Sequence, residues 1–303
     1  MTTIDDLNSD VLLQILCKLD GPTLANISSA NSTLRSLAIE SQLWQNLCFS
    51  SWPSLRHLLP SLPISHRAFF SDAYPFPSLN PTVEDTETIE ELLSAVDIHH
   101  KGELIFSKSV SSETQSQWFL SSPFQLDVLD RKNELPHLLN PPTSTPISPE
   151  ELTLSWIIVN PKTLRAANLS SRRPVSVGRH WYTGETQIRY AVVLDDCVVS
   201  ALLTCSSEKA EVVEVSLTVE GNDGLCLNGK NSLKVVGKAL DGGRNGDWKE
   251  DGIGKLHAMY WECERRKKEI MENKVRREWT VDMMLVLFGM VLFFSFFIKL
   301  RFF

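Results

Sequence analysis

Near the N-terminus, apolar residues recur every three or four positions. Leu7, Val11, Leu12, Ile15, Leu16 and Leu19 form one such series, with Asn8 or Ser9 placed to cap it. Gly21-Pro22 closes that helix and opens the next, since proline suits a first helical turn. Leu24, Ile27 and Ala30 follow, then Leu34, Leu37 and Ala38, then Leu43, Trp44 and Leu47. The spacing predicts three or four short helices with tight connections over residues 1–52.

Residues 53–81 break this pattern. Pro53, Pro60, Pro63, Pro75, Pro77 and Pro81 exclude long helices and central strands. Phe69, Phe70, Tyr74 and Phe76 are too apolar for a free linker, so this connector is expected to pack against a neighbouring domain. A third zone, 82–252, opens with a predicted helix carrying Ile89, Leu92, Leu93 and Val96, with Thr88 and Glu91 spaced as a capping box. The period then changes to two. Strands are predicted at 103–107, 124–129, 152–159, 174–177, 187–194, 198–205, 212–219 and 232–240, with a proline- and serine-rich loop over 136–149. Asp195-Asp196 between two apolar runs marks a hairpin. Short strands and polar turns favour an antiparallel sandwich over a parallel sheet.

The last zone is a charged helix over 254–280 followed by an almost wholly apolar run, 281–298. Eight basic residues in the charged part outnumber five glutamates. The apolar run spans about 27 Å as a helix, close to the thickness of a thin bilayer core. Asp282 is its one charge, at the edge. Trp279 on one side, and Lys299 and Arg301 on the other, suit the two interfaces. A buried core helix would need a polar face, and Phe293, Phe294, Phe296 and Phe297 with Leu292 and Ile298 leave none. The expectation is a single-pass C-terminal membrane anchor, with the basic run and the bulk of the chain on the cytosolic side. The fold class is therefore α+β: an N-terminal helical module, a strand-rich antiparallel β domain, a basic helix and one transmembrane helix.

Charge and motifs narrow the function. A net charge of -7 over 303 residues argues against a general nucleic-acid binder. The start, Met1-Thr2-Thr3-Ile4-Asp5-Asp6, lacks the basic and apolar parts of a signal peptide. The six cysteines contain no CxxC pair and are expected as reduced thiols in the cytosol. The seven histidines show no metal-ligand spacing, and His99-His100 is expected as an exposed loop pair. Residues 224–231, GLCLNGKN, nearly fit a phosphate-binding loop. However, Asn231 stands where serine or threonine is required, and the run that follows is predicted as strand rather than helix. No GxSxG elbow occurs. No cofactor and no catalytic set is predicted.

Residues 6–19, DLNSDVLLQILCKL, resemble the start of an F-box; residues 24–38, LANISSANSTLRSLA, resemble its middle, and 41–45, SQLWQ, its closing tryptophan segment. The family pattern has proline where Asn8 stands and often a tryptophan where this chain has Leu34 or Leu37. The resemblance implies a non-catalytic substrate adaptor of an SCF-type ubiquitin ligase. Such a module binds a Skp-family adaptor, and through it a cullin-RING ligase, and recruits a protein for ubiquitination. By position the adaptor-binding residues would be Leu7, Val11, Ile15, Leu16, Leu24 and Leu37, with Trp44 as anchor. Loss of the adaptor on Leu16→Asp or Trp44→Ala would support this.

Residues 154–170, LSWIIVNPKTLRAANLS, and 246–250, GDWKE, resemble plant F-box proteins whose C-terminal domain is related to phloem lectins. If that domain bound sugar, Trp156, Trp181 and Trp248 would be the stacking residues, against the more common fate of core tryptophans. Two functional classes remain. One is a membrane-anchored ligase adaptor. The other is a tail-anchored binding or lectin-like protein without ligase function.

Overall fold

The structure, a computed structural model, describes residues 8–74, 89–130, 148–206, 211–242 and 251–302. It is built in layers: N-terminal helices, a four-stranded sheet, a five-stranded sheet, and a long helix against the outer face of the second sheet.

The helical layer holds α1 (Ser9–Leu16), α2 (Gly21–Ile27), α3 (Ser32–Ala38) and α4 (Ser41–Ser51). Asn8, Asp20 and Asn31 cap the first three, each side chain accepting a backbone N–H of the first turn. The connector completes this layer with α5 (Leu55–Leu58) and α6 (His66–Ala73). Phe69 and Phe70 of α6 are buried, with Phe70 beside Trp44 at 5.5 Å and Trp52 at 5.2 Å between ring centroids. Packing of Phe69, Phe70 and Tyr74 is what the aromatic content of the connector predicts; Phe76 lies outside the described residues.

The first sheet has the order β2-β1-β4-β5, from β1 (Glu91–His100), β2 (Glu103–Glu113), β4 (Leu152–Asn160) and β5 (Arg165–Asn168), all antiparallel. The second has the order β3-β9-β8-β7-β6, from β3 (Gln125–Leu129), β6 (Ser176–Arg179), β7 (Thr186–Leu194), β8 (Cys197–Cys205) and β9 (Val212–Glu220). The inner faces share one core: Leu92, Val96, Leu154, Trp156 and Ile158 meet Ile188, Tyr190, Ala201 and Leu217. The predicted sandwich is present, and Asp195-Asp196 turns β7 into β8 with Leu194 opposite Cys197. The short helix α7 (Gln117–Ser121) and the strand β5 were not anticipated.

Two predicted elements change type. The helix expected around Ile89–Val96 is strand β1. Its outer face is also buried: Ala95, Ile157, Val159 and Ala166 of the first sheet pack against the N-terminal helices. Burial on both faces produces a continuous apolar run without alternation, which imitates helical spacing. Residues 232–240, expected as strand, lie in α8 (Gly229–Asp241). Ser232, Val236, Ala239 and Leu240 face inward at helical spacing, and Asn228 caps the first turn.

Arg165 of β5 ties three layers together. Its guanidinium lies 3.4 Å from the Asp72 carboxylate of α6 and donates to the carbonyls of Leu240 and Gly242 at the end of α8.

The last element is one continuous helix, α9 (Asp251–Phe302). Tyr260 and Cys263 pack on Val175, Ala191 and Val198, and Lys267 pairs with Glu220 at 2.8 Å. From Lys268 to Ile298 every residue is exposed. Within it lies an apolar window of mean hydropathy 2.4 with none of its residues buried, long and apolar enough to cross a membrane.

Candidate functional site

Helix α1 has apolar side chains on two faces. Leu12 and Leu16 point into the helical core, while Val11 and Ile15, one turn apart, are 44% and 49% exposed. Ile39, directly after α3, is 51% exposed, and the sequence reading did not single it out. These apolar groups stay in water because the helices are already filled from within.

The other expected adaptor contacts lie inside. Leu24 and Leu37 are buried in the same core as Leu16. Trp44 is 3% exposed, its Nε1 donates to the Ala38 carbonyl at 2.7 Å, and the Arg67 guanidinium lies over its ring. These four shape the module from behind, and among the described residues of the predicted set only Val11 and Ile15 stand at its surface. Leu7 lies outside the described residues.

The tryptophans expected to stack on a sugar are not brought together. Trp156 is fully buried between the sheets, its Nε1 donating to Ser94 Oγ at 3.4 Å. Trp181 is 89% exposed at the tip between β6 and β7, beside the equally open Tyr182. Trp248 lies outside the described residues. Trp118 on α7 is a further exposed tryptophan that the sequence reading did not single out.

The glycine-rich stretch before α8 does lead into a helix, contrary to expectation, but its amides are turned inward. Gly221 and Gly224 close turns on Leu225 and Gly221, Leu227 donates to Val219, and Gly229 donates to the Ser122 carbonyl. Asn228 occupies the amide of Asn231 at the helix start. A phosphate cradle needs those amides free, so the loop is packing structure.

His99 and His100 are not an exposed loop pair; both lie in β1, half-buried and buried respectively. Burial lowers the pKa of His99, and the charge of Arg172 lowers it further. The thiols of Cys48 and Cys205 are pushed up to about 12 by burial, the reverse of a reactive cysteine. Among the described residues no three His, Cys, Asp or Glu side chains gather as metal ligands would.

An F-box-like family model matches residues 4–50, the segment that forms α1 to α4. The chain is 40% identical over 311 residues to a probable F-box protein of Arabidopsis thaliana, covering 96% of this chain and 92% of the relative. A second F-box protein of that plant is 36% identical over 96% of this chain and 94% of its own length. A third is 35% identical over 90% and 83%. No solved structure matches the chain.

Proposed function

Because this chain belongs to the plant F-box proteins, we propose that it is a non-catalytic subunit of an SCF-type ubiquitin ligase, held at a membrane by α9. The helical layer would bind a Skp-family adaptor and thereby a cullin-RING ligase, while the β domain would recruit a protein for ubiquitination. Recruitment acts by effective concentration: two partners held on one scaffold meet far more often than free ones.

The observation that carries the proposal is the pair Val11 and Ile15. Both lie within the residues matched to the family, both are apolar, and both face solvent on a helix whose inner face is already satisfied. Exposed apolar positions grouped on one helix face suit a protein partner. Leu16, Leu24, Leu37 and Trp44 would hold that surface in shape from within. The test is co-purification of the full chain, from a membrane fraction in mild detergent, with a Skp-family adaptor. Absence of any such adaptor would refute the assignment.

The anchor rests on the 31 exposed residues from Lys268 to Ile298 and on the apolar window within them. A water-soluble protein gains nothing by projecting so much hydrocarbon. With α9 unbroken, the 14 helical steps from Lys267 to Val281 would set the folded body about 21 Å from the bilayer.

The exposed aromatic pair Trp181 and Tyr182 favours a second reading, a tail-anchored lectin-like protein. It predicts glycan binding by a truncation starting at Thr82, with no adaptor in a pull-down.

A further inference from the structure

Between the N-terminal helices and the first sheet lies a cleft of about 250 Å³. Ser51 lines it from the end of α4, Tyr74 from beyond α6, His99 from β1, Thr153 and Ser155 from β4, and Arg172 from the turn after β5. Among the described residues, none of the side chains that line it is a carboxylate. That is a local exception in a chain of net charge -7.

Arg172, an exposed residue, is the arginine among the described residues that line this cleft. Its φ of 58° puts it in the left-handed region, which is costly for a residue with a side chain, as at the turn residues Lys101, Leu164 and Asp195. The turn is clamped on each side. The Arg172 carbonyl accepts from Leu154 N–H at 3.0 Å, and Arg173 N–H donates to the Ser171 carbonyl. Ser171 Oγ donates to the Arg173 carbonyl. The backbone is therefore fixed, while among the described residues the guanidinium has no carboxylate partner.

Its surroundings suit an anion. The charge of Arg172 reaches both His99 and Tyr74. His99 is held neutral by burial, so one ring nitrogen can donate. The hydroxyls of Ser51, Thr153 and Ser155 add rotatable donors. The acid nearest in effect, Asp20, already accepts from Thr23 N–H at 2.9 Å as the cap of α2. A cation among neutral donors, with acids excluded, is the arrangement that selects a carboxylate or a phosphate monoester. The volume is below that of ordinary small-molecule pockets, and room for one side-chain-sized group excludes a nucleotide.

We infer that this cleft is an oxyanion-binding site, with Arg172 as the charged anchor and His99 and the hydroxyls as supporting donors. It stands independently of the ligase assignment.

The test uses the full chain in detergent micelles, titrated with inorganic phosphate at constant ionic strength and followed by phosphorus NMR line width. Saturable broadening is expected. Arg172→Gly removes the guanidinium while accepting the positive φ, so it should fold at least as well as wild type and bind at least tenfold more weakly. Arg173→Ala, a neighbouring exposed arginine outside the cleft, should bind like wild type. Acetate competing with phosphate would identify carboxylates as ligands too, whereas failure to compete would identify a phosphate site. No saturable binding in the wild type, undiminished binding in Arg172→Gly, or equal loss in Arg173→Ala would each overturn the inference.

Discussion

Asp97 of β1 accepts two hydrogen bonds from Ser54, the residue just before α5: one from its N–H at 2.9 Å and one from its hydroxyl at 2.5 Å. Ser107 of β2 donates a third at 2.6 Å. Both Asp97 and Ser54 are buried, so this cluster joins the helical layer to the first sheet across the joint that sets one against the other. Asp97→Ala would strand buried donors at a cost of about 1–3 kcal/mol. Asp97→Asn keeps one acceptor oxygen and should cost less. Urea unfolding of the two variants checks the order.

The same carboxylate gives a pH dependence. Burial raises the pKa of Asp97 above its ordinary value, although the bonds from Ser107 and Ser54 pull it down. The folded state therefore binds a proton more readily than the unfolded chain. Its contribution to stability is fully present below the unfolded value of 3.8 and is lost as pH rises through the higher folded value. The stability of wild type relative to Asp97→Asn should thus increase as pH falls from neutral towards 3.8. A difference that is flat or that shrinks on acidification would remove the buried carboxylate from this account.

Val11→Asp and Ile15→Asp test docking without disturbing the fold. Both side chains face water, so thermal unfolding should change little. Capture of a Skp-family adaptor should fall at least tenfold, because a carboxylate would be buried against an apolar partner. Leu16→Asp and Trp44→Ala ask a different question. Their side chains are buried, and truncating the tryptophan leaves a cavity worth about 3–5 kcal/mol. Lost capture in those variants would report unfolding.

Where caps and turns frame an element, the sequence was legible. Helices α1 to α4 and strands β3, β7, β8 and β9 follow from periodicity and from their caps and turns. In β1, buried on both faces, periodicity misled: it carries Leu92 and Val96 inward and Leu93 and Ala95 outward, and the result looks helical. In α8 the Val235-Val236 pair imitated a strand, although Asn228 was a readable cap. The adaptor surface was half legible, since spacing puts Val11 and Leu12 on one helix but cannot say which face the chain itself covers. The Arg172 cleft was not legible at all. It is assembled from α4, β1, β4 and a turn far apart in sequence, and no local pattern marks a left-handed arginine.

Gly229 is required by the space around it. A Cβ there would lie 2.1 Å from the Phe119 carbonyl oxygen, which is backbone and cannot swing away. Gly229→Ala should therefore part α8 from α7 and destabilise the β domain by about 1–3 kcal/mol. Trp181→Ala, by contrast, removes a side chain that touches little but its neighbours and should leave unfolding unchanged. Calorimetry of the pair separates a structural turn from an open surface.

The final prediction concerns α9, whose two halves do different work. Up to Lys267 it is part of the body: Tyr260 and Cys263 cover the outer face of the second sheet, and Lys267 meets Glu220 and Glu264. Beyond that point none of the described side chains of the helix is buried, so removing it costs the core no contact among the described residues. A chain ending at Glu278 should keep the wild-type unfolding temperature yet leave the membrane pellet for the soluble fraction. A chain ending at Gly254 should lose the cover over Val175, Ala191 and Val198, and unfold at a lower temperature. Alkaline extraction of membranes, followed by thermal unfolding of both truncations, reads the two effects separately. Should the chain ending at Glu278 stay in the pellet, the apolar run is not what holds the protein to the membrane. Should it unfold early, the exposed half of α9 has a partner within the chain.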